Sequence, residues 1–229
     1  MEPLAGIDVN FRFTEDTPPG KDPDQHSPTL RRYHQQLWSK PLPDGTMFDL
    51  VATANDYLLH VSSRGTFTLT SDAITTPLAG RACRVIEGIP EGQRPQDLGY
   101  TVGSALVFPG NRVDGKATLN GARGFHPRIV DRFDLTLECI RRHYAGTPSP
   151  LSEALARYGD FFSLFVDFAG YVEFFLLQDL VHSDGGVRFM HHFEDFSTPA
   201  VPKTVHDYIV YAEASNDFIR ARNARIRSL

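Results

Sequence analysis

Cysteine, lysine and long apolar runs are all scarce in this 229-residue chain, and each shortage removes a class of explanation. Two cysteines, Cys83 and Cys139, supply neither a disulfide framework nor a zinc-ligand set, so a reducing compartment is expected. Apolar runs such as residues 174–177 are a few residues long, whereas crossing a bilayer takes ~20. No membrane partner is expected. Residues 1–4 lack a basic region leading into an apolar one, which argues against a secretory signal and for a cytoplasmic location. Lysine occurs four times against nineteen arginines, and the net charge of −5 excludes a salt-driven grip on DNA over the whole surface. The arginine bias has two readings: a GC-rich coding sequence, or guanidinium groups holding phosphate or carboxylate bidentately, which lysine cannot do.

What is present suits one globular unit. At 41% hydrophobic and 22% charged, the chain can bury a sizeable core, and its length is long for one domain and short for two. Alternation predicts strands over residues 7–13, 47–52, 57–62, 66–70, 100–108 and 187–193, with a short strand ending at Leu119. Ser27-Pro28 predicts the start of a helix over residues 29–39, and Pro127 that of a helix to Tyr144. Further helical segments follow from residue 149 or 152, over 161–168 and 171–181, and from Thr204 to about residue 225. The expected class is α+β: a strand-rich N-terminal half, mostly antiparallel, packed against a helical C-terminal half in a single domain spanning residues 1–229.

The densest chemistry falls between residues 120 and 144. On a helix from Pro127, Ile129, Val130, Phe133, Leu137, Ile140 and Tyr144 form one apolar stripe. Asp131, Asp134 and Glu138 gather on the other side, flanked by Arg128, Arg132 and Arg142. The i,i+4 pairs Asp134/Glu138 and Arg128/Arg132 set like charges together, a conflict that calls for partners. Three readings remain open: a buried ionic network, a phosphate or substrate site, or a Mg²⁺ site built from hard oxygen ligands. Upstream, Asn120-Gly121-Ala122-Arg123-Gly124 reads as a strand-to-helix junction whose backbone amides favour anions, although it matches neither a Walker loop nor a dinucleotide fingerprint.

Elsewhere the signals are thinner. His60 and Ser62 share one strand face, a pair that resembles nucleotide-gripping elements of ADP-ribosyl-transferring folds but also suits a histidine satisfied by its neighbours. Arg31, Arg32, His34, Trp38 and Lys40 combine basic and aromatic groups, either to stack a nucleotide or as a packing face with solvated charges. The aromatics from Phe161 to Phe175 read as core.

Three blocks, residues 27–43, 131–144 and 161–181, resemble an uncharacterised bacterial protein family with no established activity. The resemblance implies a single unit in an intracellular bacterial setting, and no mechanism.

The resulting expectation is a protein that binds or processes a phosphate-bearing ligand, either a nucleotide or a nucleic acid. Asn120, Arg123, Arg128 and Arg132 are the ligand-binding candidates. Glu138, His126 and Asp134 are the candidate acid–base groups, no metal site is assigned, and any cofactor is left open. The alternative is a non-enzymatic interaction module in which the same charges form a structural network.

Overall fold

The computed structural model describes residues 6–75 and 83–229, and it is α+β. The N-terminal half holds two short helices, α1 (Pro23–His26) and α2 (Pro28–Trp38), followed by the strands. Ser27 closes α1 and caps α2, its hydroxyl accepting from Leu30 N–H, with Pro28 in the first turn where its missing N–H costs nothing. Strands β1 (Lys40–Pro41) and β2 (Met47–Phe48) pair around the Pro43-Asp44-Gly45 turn, where Gly45 takes a left-handed φ of 83°. Strands β3 (Val51–Ala52), β4 (Leu58–Ser62), β5 (Gly65–Ala73) and β6 (Ala105–Pro109) form a four-stranded antiparallel sheet in that order.

The C-terminal half supplies the helices that cover this sheet. They are α3 (Leu119–Phe125), α4 (Phe133–Tyr144), α5 (Ser152–Ala156), α6 (Gly159–Ser163), α7 (Phe168–Phe174) and the long α8 (Val205–Arg227). A capping box fixes the start of α8, with Thr204 and Asp207 each accepting from the other's backbone N–H. No helix among the described residues is long and apolar enough to cross a membrane.

One core joins the halves. Trp38 and Phe48 from the first half meet Phe165, Phe174 and Phe175 from the second, with ring centroids 5.2–6.2 Å apart. Such edge-on and tilted pairs add about 0.5–1.5 kcal/mol each beyond area burial. Helix α8 runs close to the 3-10 turn at Val102–Ser104, and a Cβ on Gly103 would stand 2.8 Å from Ile219 O. Arg222 enters this core fully buried. It donates to the carbonyls of Phe175, Gly103 and Ala105, and its guanidinium lies 5.5 Å from the Trp38 ring.

The structure departs from the sequence expectation at several places. Residues 7–13 are turns rather than a strand; Phe11 N–H returns to Asp8 O, while Val9 and Phe13 still anchor in the core. Residues 187–193 make a single bridge, Val181 to Val187, in place of a strand. The stretch ending at Leu119 forms no strand, and Asn120 to Gly124 lie inside α3, which Thr118 caps. The helix expected from Pro127 begins at Phe133 instead, because Val130 and Asp131 turn left-handed (φ 47° and 64°) just before it.

Candidate functional site

The left-handed turn between α3 and α4 decides where the charges go. Arg123, on α3, is fully buried and reaches across the turn in three directions. Its Nη1 donates to Asp72 at 2.6 Å on β5 and stands 2.7 Å from the Asp131 carboxylate. Nε donates to Thr136 on α4, and Nη2 to Asp131 O. Burial opposes the charge, but Asp131 and Asp72 outweigh it and raise the guanidinium's pKa. Arg132 is equally spent. It holds Asp134 through Nε at 3.1 Å and Nη2 at 2.5 Å, and donates to the carbonyls of Ala200 and His191. Asp134 also accepts from Met190 N–H, so both its oxygens are used inside the protein.

The like-charge conflicts resolve in the same way. Asp134 takes Arg132, while Glu138 takes Arg141 and Arg142 at 2.7 Å each. Burial raises the Glu138 pKa and its two arginines lower it, with a net depression. Arg128 stands outside α4 and exposed, so it does not crowd Arg132.

Two clefts open beside this frame. The first, of about 470 Å³, is lined by Arg128, Arg142, Pro148, Ser149, Pro150, Asp195, Phe196 and Ser197. Glu138 fixes Arg142 from one side, and the guanidinium lies 4.9 Å from the Phe196 ring. Phe125, three residues before Arg128, is 81% exposed. Between them His126 accepts from Arg128 N–H through Nδ1, which places its proton on Nε2 when neutral; burial and Arg128 hold its pKa below the usual histidine range. The second cleft, of about 570 Å³, lies over the outer face of the sheet, and Asn120 is part of its wall.

Of the expected ligand residues, Arg128 and Asn120 therefore reach open clefts, though different ones, while Arg123 and Arg132 are enclosed. Of the acid–base candidates, Asp134 is enclosed, Glu138 is clamped by two arginines and His126 is half-buried.

A carboxylate cluster behind Arg123 escaped the sequence reading. Asp24 on α1 accepts from Ala73 N–H through Oδ2, and its Oδ1 is buried with no partner among the described residues. Burial first, then Asp72, pushes its pKa up to about 8; Asp72, also buried, rises to about 6 despite Arg123. The signal for Asp72 was present, since Thr68, Thr70 and Asp72 keep the period-2 face of a strand that runs three residues further than expected. Among the described residues no group of three or more His, Cys, Asp or Glu side chains converges as metal ligands. Histidines 34 and 60 are also internal. His34 bonds Trp38 and Ser71, and burial drives its pKa down to about 3; His60 stacks on Phe67.

A protein-family model described as a family of unknown function matches residues 7–226. No curated protein and no solved structure matches the chain.

Proposed function

The chain belongs to DUF6994, a family of unknown function, and on that footing we propose that it binds a phosphate-bearing ligand, a nucleotide or a nucleic-acid end, in the Arg128–Arg142 cleft. The observation that carries this reading is one open cleft presenting two guanidinium groups with the hydroxyl of Ser149, against a single carboxylate, Asp195, which accepts from the Ser197 hydroxyl. Its volume lies within the 300–1,000 Å³ typical of small-molecule sites. Arg142 is held in place by Glu138 and Phe196, so little side-chain entropy remains to be lost on binding. Arg128 has no hydrogen-bond or ion-pair partner for its guanidinium among the described residues. Phe125 and His126 do not line the cleft but precede Arg128 by three and two residues, and they carry an exposed aromatic ring and an Nε2–H donor. Glu138 serves here as the group that positions Arg142. The two buried free thiols support a reducing, cytosolic setting.

The test is a binding and melting titration with nucleoside mono-, di- and triphosphates and a short single-stranded oligonucleotide at two salt concentrations. Arg128→Ala should weaken binding at least tenfold while leaving the melting temperature unchanged, and added salt should weaken it further. If none of these ligands binds or shifts the wild-type melt, the proposal fails. The interaction-module reading then stands, favoured by the full internal pairing of Arg123, Arg132, Asp134 and Glu138.

A further inference from the structure

We infer that the 570 Å³ cleft on the outer face of the sheet is a second, separate site, shaped for a sugar-sized polyhydroxylated ligand carrying one anionic group. Its walls come from four places. Gln25 stands on α1, Tyr57 precedes β4, Thr68 and Thr70 face outward from β5, and Arg112 and Asn120 close the side formed by the turn after β6 and the start of α3.

The chemistry of the lining selects the ligand. No carboxylate faces the cleft, and Arg112 is its one charged group, so a single anionic substituent is matched and a cation is not. The remaining side chains are hydroxyls and carboxamides. These both donate and accept, as vicinal hydroxyls of a sugar require. Tyr57 contributes an aromatic ring, which suits the apolar C–H face of a pyranose or furanose. Hydrogen-bonding capacity is unspent here. Among the described residues, the side chains of Gln25, Tyr57, Thr68, Thr70 and Arg112 make no hydrogen bond within the protein.

The floor is rigid, and one donor is already aimed. Asn120 Oδ1 accepts from Arg123 Nη1 at 3.5 Å, and Arg123 is itself locked by Asp72, Asp131 and Thr136. The Asn120 amide is thereby turned so that its NH₂ remains available to a ligand. Asp72 continues the outward face of Thr68 and Thr70, but Arg123 covers it, so the ligand meets no buried negative charge. Gly110 packs against the Thr70 methyl, where a Cβ would clash with Cγ2, so the wall is closed on the methyl side of Thr70.

The experiment is calorimetric titration of the full chain with glucose 6-phosphate, ribose 5-phosphate, glucuronate, glucose and inorganic phosphate. Thr70→Val, Arg112→Ala and Arg128→Ala variants are measured beside wild type. At least one anionic sugar should bind wild type, with glucose and inorganic phosphate each at least tenfold weaker. Whether a phosphate or a carboxylate supplies the anion is read from the sugar phosphates against glucuronate. Thr70→Val, which keeps the shape and removes the hydroxyl, and Arg112→Ala should each weaken that binding at least tenfold. Arg128→Ala, in the other cleft, should leave it unchanged, which separates this inference from the nucleotide reading. The inference is overturned if no anionic sugar binds, if inorganic phosphate or glucose binds as well as they do, if Thr70→Val and Arg112→Ala bind as wild type does, or if Arg128→Ala abolishes binding. Unchanged circular dichroism and melting of the variants accompany the comparison.

Discussion

Replacing Asp24 with asparagine should stabilise the protein at alkaline pH and leave it nearly unchanged near pH 4. The Asp24 carboxyl is buried beside Asp72, with Asp22 and Asp131 adding negative charge, and its pKa rises from 3.8 to about 8. A carboxyl raised on folding binds more protons in the folded state than in the unfolded one between those two values. Its contribution is therefore fully present below pH ~4 and is lost as pH rises towards 8. At about 1.36 kcal/mol per pKa unit, the wild type would lose roughly 6 kcal/mol across that window if nothing moved. The four-residue helix α1 can lift from β5 and admit water, so a loss of about 1–3 kcal/mol is the realistic size. Asparagine keeps an oxygen for Ala73 N–H and carries no proton to lose. Its advantage at pH 8 then corresponds to roughly 2–10 °C in melting temperature for a chain of this length. The assay is thermal unfolding of both proteins at half-unit steps from pH 4 to pH 9. A gap that is constant with pH, or that widens towards acid, would refute the reasoning.

Other outcomes follow from the same contacts. Phe133→Ala removes a fully buried aromatic at the start of α4 and should cost about 3–5 kcal/mol, measured by urea unfolding. Glu138→Gln should destabilise by about 1–2 kcal/mol at pH 7, because Arg141 and Arg142 lose their carboxylate partner and both are partly solvated. Since the Glu138 pKa is depressed on folding, the difference from wild type should shrink as pH falls below about 4, which melts at pH 3.5 and pH 7 would show. Thiol titration of the unreduced chain should give two reactive groups in denaturant and slow reaction in the folded state, where Cys83 and Cys139 are both buried.

What could be read from the sequence was whatever is fixed locally. Ser27-Pro28 and Thr204 announce α2 and α8 through caps satisfied within three residues, and alternation finds β4 and β5. The aromatics at 161, 162, 165, 174 and 175 are core, as helical spacing suggested. The turn at 126–132 was not legible, because the left-handed Asp131 is held from a distance. Its N–H bonds Arg123 O, and its own carbonyl accepts from Arg123 Nη2. Apolar Ile129, Val130 and Phe133 meanwhile mimic helical periodicity across the break. Helix α3 contains Gly121 and Gly124, poor helix formers, and owes its existence to the Thr118 cap and the burial of Leu119 and Arg123. For the site, the sequence located the arginine-rich region but could not separate Arg123 and Arg132, which carboxylates enclose, from Arg128 and Arg142, which line a cleft. That division depends on Asp72, fifty-one residues away from Arg123.

Arg222 also imposes an order on the making of the protein. Its guanidinium joins carbonyls that lie 47, 117 and 119 residues earlier in the chain, and the neighbouring Asn223 reaches Val9 across 214 residues. During synthesis, strands β3 to β6 and the aromatic cluster emerge well before the helix that closes over them. Contacts of such long separation form late, because their loop-closure entropy must be met first. A ribosome-bound chain stalled before residue 205 should therefore expose Trp38 and Phe175 to protease and to hydrophobic-surface dyes, and release of the full-length chain should protect both. The nascent protein thus passes through a window in which the apolar surface beneath α8 is open, and α8 is the element that ends it.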